Sequence, residues 1–293
     1  LNIQLEIIAR TECGPVRGGN EDTVLVARWA VLFSTPSFVH YEAVNPEDEA
    51  ILLVVTDGCG DAIPDEVLEC FAVALPSLKQ AEQIADALSD VVEQANLLAC
   101  PILRRPENHF WGATLTAAFF QEGEVYFAQV GDTRGYLFRA GKLHPVTTDQ
   151  TYVEVLRREG KITLKEAETH PLRNVILQSI GTTPHIFPGV TSVALQHNDI
   201  ILLCSDGLWK LVEDSEIAAA LGTSSNLQDM HANLFELLEK KAHHDNASVI
   251  LARVTGDDLP PPIEDELRFE IVRDVKPYPF PYYPPLDNLP KSK

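Results

Sequence analysis

Four aspartates in this chain stand where an apolar run begins or stops. Asp57 follows the run 51–56 and precedes Gly58. Asp132 lies in Gly131-Asp132-Thr133-Arg134, just past Glu124–Val130. Asp206 lies in Ser205-Asp206-Gly207, just past Ile200–Cys204, and Asp245 with Asn246 precedes the run 247–254. Glu21 and Asp22 open another apolar run, close behind Arg17, Gly18 and Gly19. A carboxylate at the end of a buried strand needs a cation or several hydrogen-bond donors. For Asp57-Gly58 alone, an ordinary strand-end turn is the commoner origin. Together, carboxylates gathered at one end of a sheet repel one another unless cations neutralise them. An all-oxygen donor set favours a hard, hydrated ion, Mg²⁺ or Mn²⁺. Two such ions about 3.5–4 Å apart activate a water and clamp a phosphoryl group. Zinc-type ligation is not indicated, because none of the nine histidines has a partner at the H-x-x-x-H spacing of a helix.

For these residues to meet, several strands must end on the same side. Residues 3–10 alternate apolar and polar and read as a first strand. Ile51, Leu52, Leu53, Val54 and Val55, three of them β-branched, read as a strand buried on both faces. Pro64 suits a first helical position, and 65–75 and 79–99 carry helical spacing, with Ile84, Leu88, Val91, Val92, Ala95 and Leu98 on one face. Residues 113–120, 124–130 and 135–138 read as three strands joined by tight turns, with 121–123 suited to one hairpin and 139–142 to another. Residues 193–195 and 200–204 read as a strand pair around the turn 196–199, 214–221 and 227–241 as helices, and 247–254 as a last strand. Residues 34–50 form a long, proline-marked connection, and 147–180 are polar with helical spacing. Beyond Gly256 the chain becomes rich in proline, with an aromatic cluster at 278–285. The expected division is a domain over 1–256 and a tail or linker over 257–293.

The 293 residues are 45% hydrophobic, enough for a sizeable core, and carry a net charge of -20. No basic footprint for nucleic acid is visible. Five cysteines without a C-x-x-C pair suit a reducing compartment. No apolar run approaches membrane-spanning length, and residues 1–10 lack the basic start and cleavage site of a signal peptide. These features place the chain in the cytoplasm.

The ordered series Arg17-x-x-Asn20-Glu21-Asp22, Asp57-Gly58-x-Gly60, Gly112-x-Thr114, Gly131-Asp132-Thr133-Arg134, Ser205-Asp206-Gly207-Leu208-Trp209 and Asp245-Asn246 resembles the metal-dependent type 2C (PPM) protein phosphatases, in particular their bacterial serine/threonine branch. The resemblance runs from about residue 3 to 254. Each motif alone is weak; six in order are specific. The resemblance implies an α+β fold, a four-layer α-β-β-α sandwich of two mainly antiparallel sheets flanked by helices. It implies hydrolysis of phosphoserine and phosphothreonine by a water bridging two Mn²⁺ or Mg²⁺ ions. Asp57 would bridge both ions and the Gly58 carbonyl would bind the second. Asp206 and Asp245 would complete the first ion's shell, and Glu21 or Asp22 would hold the second. Asp132 would ligate a third, weaker ion. Arg17 would grip the phosphate through its planar fork, a role lysine fills poorly. Residues 142–175 resemble the family's flap. The implied partners are phosphorylated proteins and a cognate serine/threonine kinase, with no nucleic acid, no membrane and a monomeric state.

Three departures stand out. Cys59 occupies a place where His or Met is usual, Asp61 replaces a usual glycine, and 34–50 is long. A thiol-based phosphatase is excluded, since no cysteine has arginine six residues on. The alternative from another class is a non-catalytic phosphoprotein-binding or regulatory protein on the same fold. Loss of a core aspartate would signal it, and all are present.

Overall fold

A computed structural model of the chain describes residues 2–28, 38–46, 48–102, 105, 109, 111–242, 244–263 and 269–274. Its strands are β1 (Gln4–Glu12), β2 (Asp22–Arg28), β3 (Phe38–Val44), β4 (Ile51–Gly58), β5 (Ala113–Gln121), β6 (Glu124–Val130), β7 (Arg134–Arg139), β8 (Lys142–Pro145), β9 (Gly189–Ala194), β10 (Ile200–Cys204), β11 (Ala247–Thr255) and β12 (Phe269–Arg273). Its helices are α1 (Asp65–Lys79), α2 (Ile84–Ile102), α3 (Tyr152–Arg158), α4 (Leu164–Thr169), α5 (Asp206–Trp209), α6 (Asp214–Gly222) and α7 (Leu227–Lys240). One sheet runs β3-β1-β11-β10-β7-β8 and the other β12-β9-β6-β5-β4-β2. Every pairing between these strands is antiparallel.

The double burial expected of 51–55 defines the layers. Side chains alternate across a strand, so Leu52 and Val54 of β4 face Phe71 and Leu75 of α1 and Leu88 and Val92 of α2. Leu53 and Val55 point the other way, into the seam between the sheets, with Ile7, Leu137, Leu203 and Ile250. On the far side of the first sheet, Tyr136, Leu202 and Leu251 pack against Ile217 and Leu221 of α6 and Leu234 and Phe235 of α7. Each such side chain contributes roughly 1.5–3 kcal/mol of burial. The result is the four-layer α-β-β-α sandwich. On α2 the apolar stripe continues from Ala95 to Ala99, four residues on, and Leu98 is exposed instead.

One expectation needs correction. The segments near 193–195 and 200–204 are not a hairpin: β9 pairs with β6 and β12 in one sheet, while β10 pairs with β7 and β11 in the other. The turn between them crosses from sheet to sheet. Asp199 at its corner is buried, accepts the Gln196 amide and is held by Arg139. Beyond Gly256 the chain still makes contacts with the sandwich. Leu259 is buried in the seam between the sheets, the Ile263 amide donates to Gln196, and β12 adds an edge strand to β9. Arg273 then ties β12 to α2, through Asp86 and the Ser89 hydroxyl. The aromatic cluster 278–285 and residues 34–37 of the long connection lie outside the described residues. Residues 38–44 of that connection form edge strand β3. Among the described residues no helix is long and apolar enough to cross a membrane.

Candidate active site

The register of the second sheet brings the carboxylates together. Asp22, at the start of β2, lies opposite Asp57, near the end of β4, and Asp57 lies opposite Thr114 at the start of β5. Because neighbouring strands run antiparallel, the beginning of one and the end of the next share an edge. Gly131 and Asp132 follow the end of β6 at the same edge, and the space a Cβ would need at Gly131 is filled by Thr114. From the first sheet come Asp206, just past β10, and Asp245, just before β11. Two close backbone approaches hold this edge. A Cβ on Gly58 would run into the carbonyls of Asp61 and Glu21, and one on Gly207 into the carbonyl of Asn246. The Gly58 amide donates to the Glu21 carbonyl at 3.0 Å.

Polar side chains fasten the segments to one another. Asn246 accepts the Glu21 amide at 2.8 Å and donates to the Gly19 carbonyl at 3.1 Å, which fixes the glycine-rich turn carrying Arg17. Ser205 donates to Asp22 at 2.6 Å while accepting the Ser248 amide at 3.0 Å. Glu21 reaches the Gly60 amide at 3.2 Å, beside the turn after Asp57. Arg17 does not stand open: its guanidinium meets Asp245 at 2.6 Å. Lys210 meets Asp206 at 2.5 Å and lies 3.6 Å from Asp132.

All eight residues singled out by sequence therefore lie at one edge. Asp57 feels the charges of Asp206, Asp22 and Asp132, and its carboxyl is within hydrogen-bonding reach of that of Asp206. Burial, then these neighbours, hold the Asp57 pKa well above the ordinary carboxylate range. Burial also pushes Asp22 up to about 7, against the Ser205 and Ser248 hydrogen bonds, and pushes Asp132 up to about 7 with help from Asp206. Asp132 is 1% exposed, and neither of its carboxylate oxygens has a hydrogen-bond partner. Among the described residues no three acidic, His or Cys side chains stand close enough together to hold an ion as placed; Arg17 and Lys210 engage Asp245 and Asp206 instead. An all-oxygen set this short of positive charge nevertheless fits hard divalent ions.

A stability signature follows. Between about pH 4 and pH 7 the folded, metal-free chain holds protons on Asp22 and Asp132 that the unfolded chain has already released. Stability then falls as pH rises through that window. In a chelator, the melting temperature is expected to be at least about 5 °C lower at pH 8 than at pH 6. Saturating Mn²⁺ is expected to abolish or reverse the difference. A flat profile in the chelator would show that the carboxylates are not in conflict.

Sequence reasoning missed Lys210 and Gln150. Lys210 had a signal: it lies four residues after Asp206, the spacing of a helical ion pair. Gln150 had none. It ties the flap region to the edge through the Gly131 amide at 2.9 Å, the Gln129 carbonyl at 2.9 Å and the Gln178 amide nitrogen at 3.3 Å. The flap region itself contains β8, α3 and α4. His170 within it accepts the Leu172 amide at 3.1 Å, a loop-forming role. Cys59 is exposed, and its backbone pairs with Gly112 and Trp111.

No protein-family model matches the chain. It is similar to the serine/threonine protein phosphatase PstP of Mycobacterium tuberculosis, 32% identical over 263 residues, which are 88% of this chain and 46% of that protein. The chain thus spans about half the length of that relative. It is similar to the serine/threonine phosphatase stp of Listeria monocytogenes, 30% identical over 254 residues, 83% of this chain and 93% of that protein. The solved structure of the PstP catalytic domain in complex with two manganese ions aligns with a TM-score of 0.66 at 29% identity, covering 87% of this chain and 100% of that one. Identity at this level along nearly the whole Listeria protein, on a frame that carries the same ordered motifs to one edge, means that the chain belongs to the bacterial type 2C family of serine/threonine protein phosphatases.

Proposed function

We propose that the chain hydrolyses phosphoserine and phosphothreonine in proteins, as a Mn²⁺- or Mg²⁺-dependent phosphatase. The observation that carries this reading is Asp57: a half-buried carboxylate set opposite Asp22 and surrounded by Asp206 and Asp132. Such an arrangement is costly in an empty fold and useful in a site built for two cations. Asp57 would bridge them. Asp206 and Asp245 would complete the shell of one, and the Gly58 carbonyl would serve the other, with Glu21 on its side. Asp22, buried and held by Ser205, would act from behind Asp57. Asp132 would offer a third cation position. When bound, the ions act as Lewis acids that lower the pKa of water and draw charge from the phosphoryl group.

The chain's own residues do the rest. Arg17 is 46% exposed on a turn fixed by Asn246, and turning away from Asp245 would present its planar fork to a phosphate. The net charge of -20 weighs against nucleic acid. We place the protein in the reducing cytoplasm, which its free cysteines support, and propose that it acts as a monomer opposed to a cognate kinase.

The test is turnover of a phosphothreonine peptide and of p-nitrophenyl phosphate, with Mn²⁺ and in chelator. Metal-dependent turnover of both is expected. Arg17→Ala is expected to raise KM about tenfold or more with a smaller change in kcat, since the fork grips ground state and transition state alike. Tight phosphopeptide binding without turnover would instead establish a non-catalytic binding protein.

A further inference from the structure

Among the described residues, Lys210 is the one at the edge whose charge opposes the carboxylates and whose side chain reaches two of them. Its Nζ is 2.5 Å from Asp206 Oδ2 and 3.6 Å from Asp132 Oδ2. Asp132 is almost wholly enclosed, and neither of its oxygens accepts a hydrogen bond. A carboxylate so placed is costly unless a cation stands beside it. Lys210 provides that cation from inside the chain.

The ammonium does not wander there from a loose loop. Lys210 closes the one-turn helix α5, and its amide donates to the Asp206 carbonyl at 3.0 Å. The ammonium lies 5.3 Å from the centroid of the Trp209 ring. Trp209 Nε1 donates to the Asp132 carbonyl at 3.0 Å, so the ring joins the lysine's helix to the aspartate's turn. The Arg134 guanidinium carbon lies 3.5 Å from the same ring centroid. Arg134 is itself held by both oxygens of Asp149 at 2.9 and 2.7 Å. Asp149, Arg134, Trp209 and Lys210 are thus linked through successive contacts.

We propose that Lys210 is a tethered cation that fills the position between Asp132 and Asp206, so that the centre takes two divalent ions and one ammonium in place of three divalent ions. The proposal rests on the two-ion reading of Asp57. Its consequence is a site in which the third positive charge is always present and does not depend on metal supply.

The test is calorimetric titration of Mn²⁺ into the metal-free protein, followed in parallel by its tryptophan fluorescence. The native chain is expected to bind two ions. Lys210→Met, which keeps the stem and removes the charge, is expected to bind a third, weaker ion and to show an added fluorescence phase. Asp132→Asn in the Lys210→Met background is expected to remove that third ion and leave the first two. Lys210→Gln serves the same purpose should the methionine variant fail to fold. Three ions on the native chain, or two on both Lys210 variants, would overturn the proposal. Fewer than two ions on the native chain would overturn the two-ion reading beneath it, an outcome distinguishable from either.

Discussion

Asp57→Asn is expected to lower turnover of every phosphoester by at least about a hundredfold, the loss typical when a main electrostatic element of a site is removed. Asparagine keeps the shape of the side chain and its place on β4, opposite Asp22 and Thr114. It removes the charge at the one position that Asp206, Asp22 and Asp132 all surround. Mn²⁺ binding measured by calorimetry should lose at least one ion.

Stability should move the opposite way. In the metal-free chain Asp57 is held well above its ordinary range by burial and by three acidic neighbours. The amide removes that conflict, so the variant should melt higher than the native chain in chelator at pH 8 and gain less from Mn²⁺. A folding defect would lower activity and stability together, whereas this site predicts that they part. Near-normal turnover with two ions still bound would show that the centre lies elsewhere.

The site was legible because its residues occupy strand ends, and strand ends are written locally. An apolar run followed by Asp-Gly at 57 and again at 206 records both burial and its termination. The buried strand 51–55 likewise announced two covered faces, which the sandwich supplies through α1 and α2 on one side and the facing sheet on the other. What stayed hidden depended on partners distant in sequence. Nothing local says that 193–195 and 200–204 belong to different sheets, because that choice is made by Gly123, Arg139 and Val254, which bond to Leu195, Asp199 and Asn198. Proline-rich text after 256 read as a tail, yet five residues of it found the open edge of β9. Lys210 was overlooked for a related reason: its meaning comes from Asp132, distant in sequence on the turn that links β6 of one sheet to β7 of the other.

The largest stability loss is expected at that hidden corner, from Arg139→Ala. Arg139 ends β7 with its side chain 1% exposed and grips a fully buried Asp199 through two bonds of 2.7 and 2.6 Å. Its Nη2 also donates to the Ala194 carbonyl at 2.8 Å, at the end of β9 in the other sheet. One guanidinium thus holds the point where the chain crosses between sheets. Truncation would leave the Asp199 carboxylate buried with only the Gln196 amide as a strong donor. Breaking one side of a buried ion pair costs about 3–5 kcal/mol, or a fall in melting temperature of roughly 10 °C for a domain of this size. The loss should shrink as pH falls, since burial already pushes the Asp199 pKa up and Arg139 is what holds it down. Without Arg139 the carboxyl would stay protonated to higher pH, so the folded chain would bind a proton the unfolded chain lacks and stability would decline with rising pH. The double variant Arg139→Met with Asp199→Leu should recover most of the loss, because it leaves neither charge stranded. Turnover below the melting transition should change little in any of them, for Arg134, at the other end of β7, is the residue that reaches the site. A single variant as stable as the native chain, or a double variant no better than Arg139→Ala, would mean that the crossover is held by packing and not by this pair.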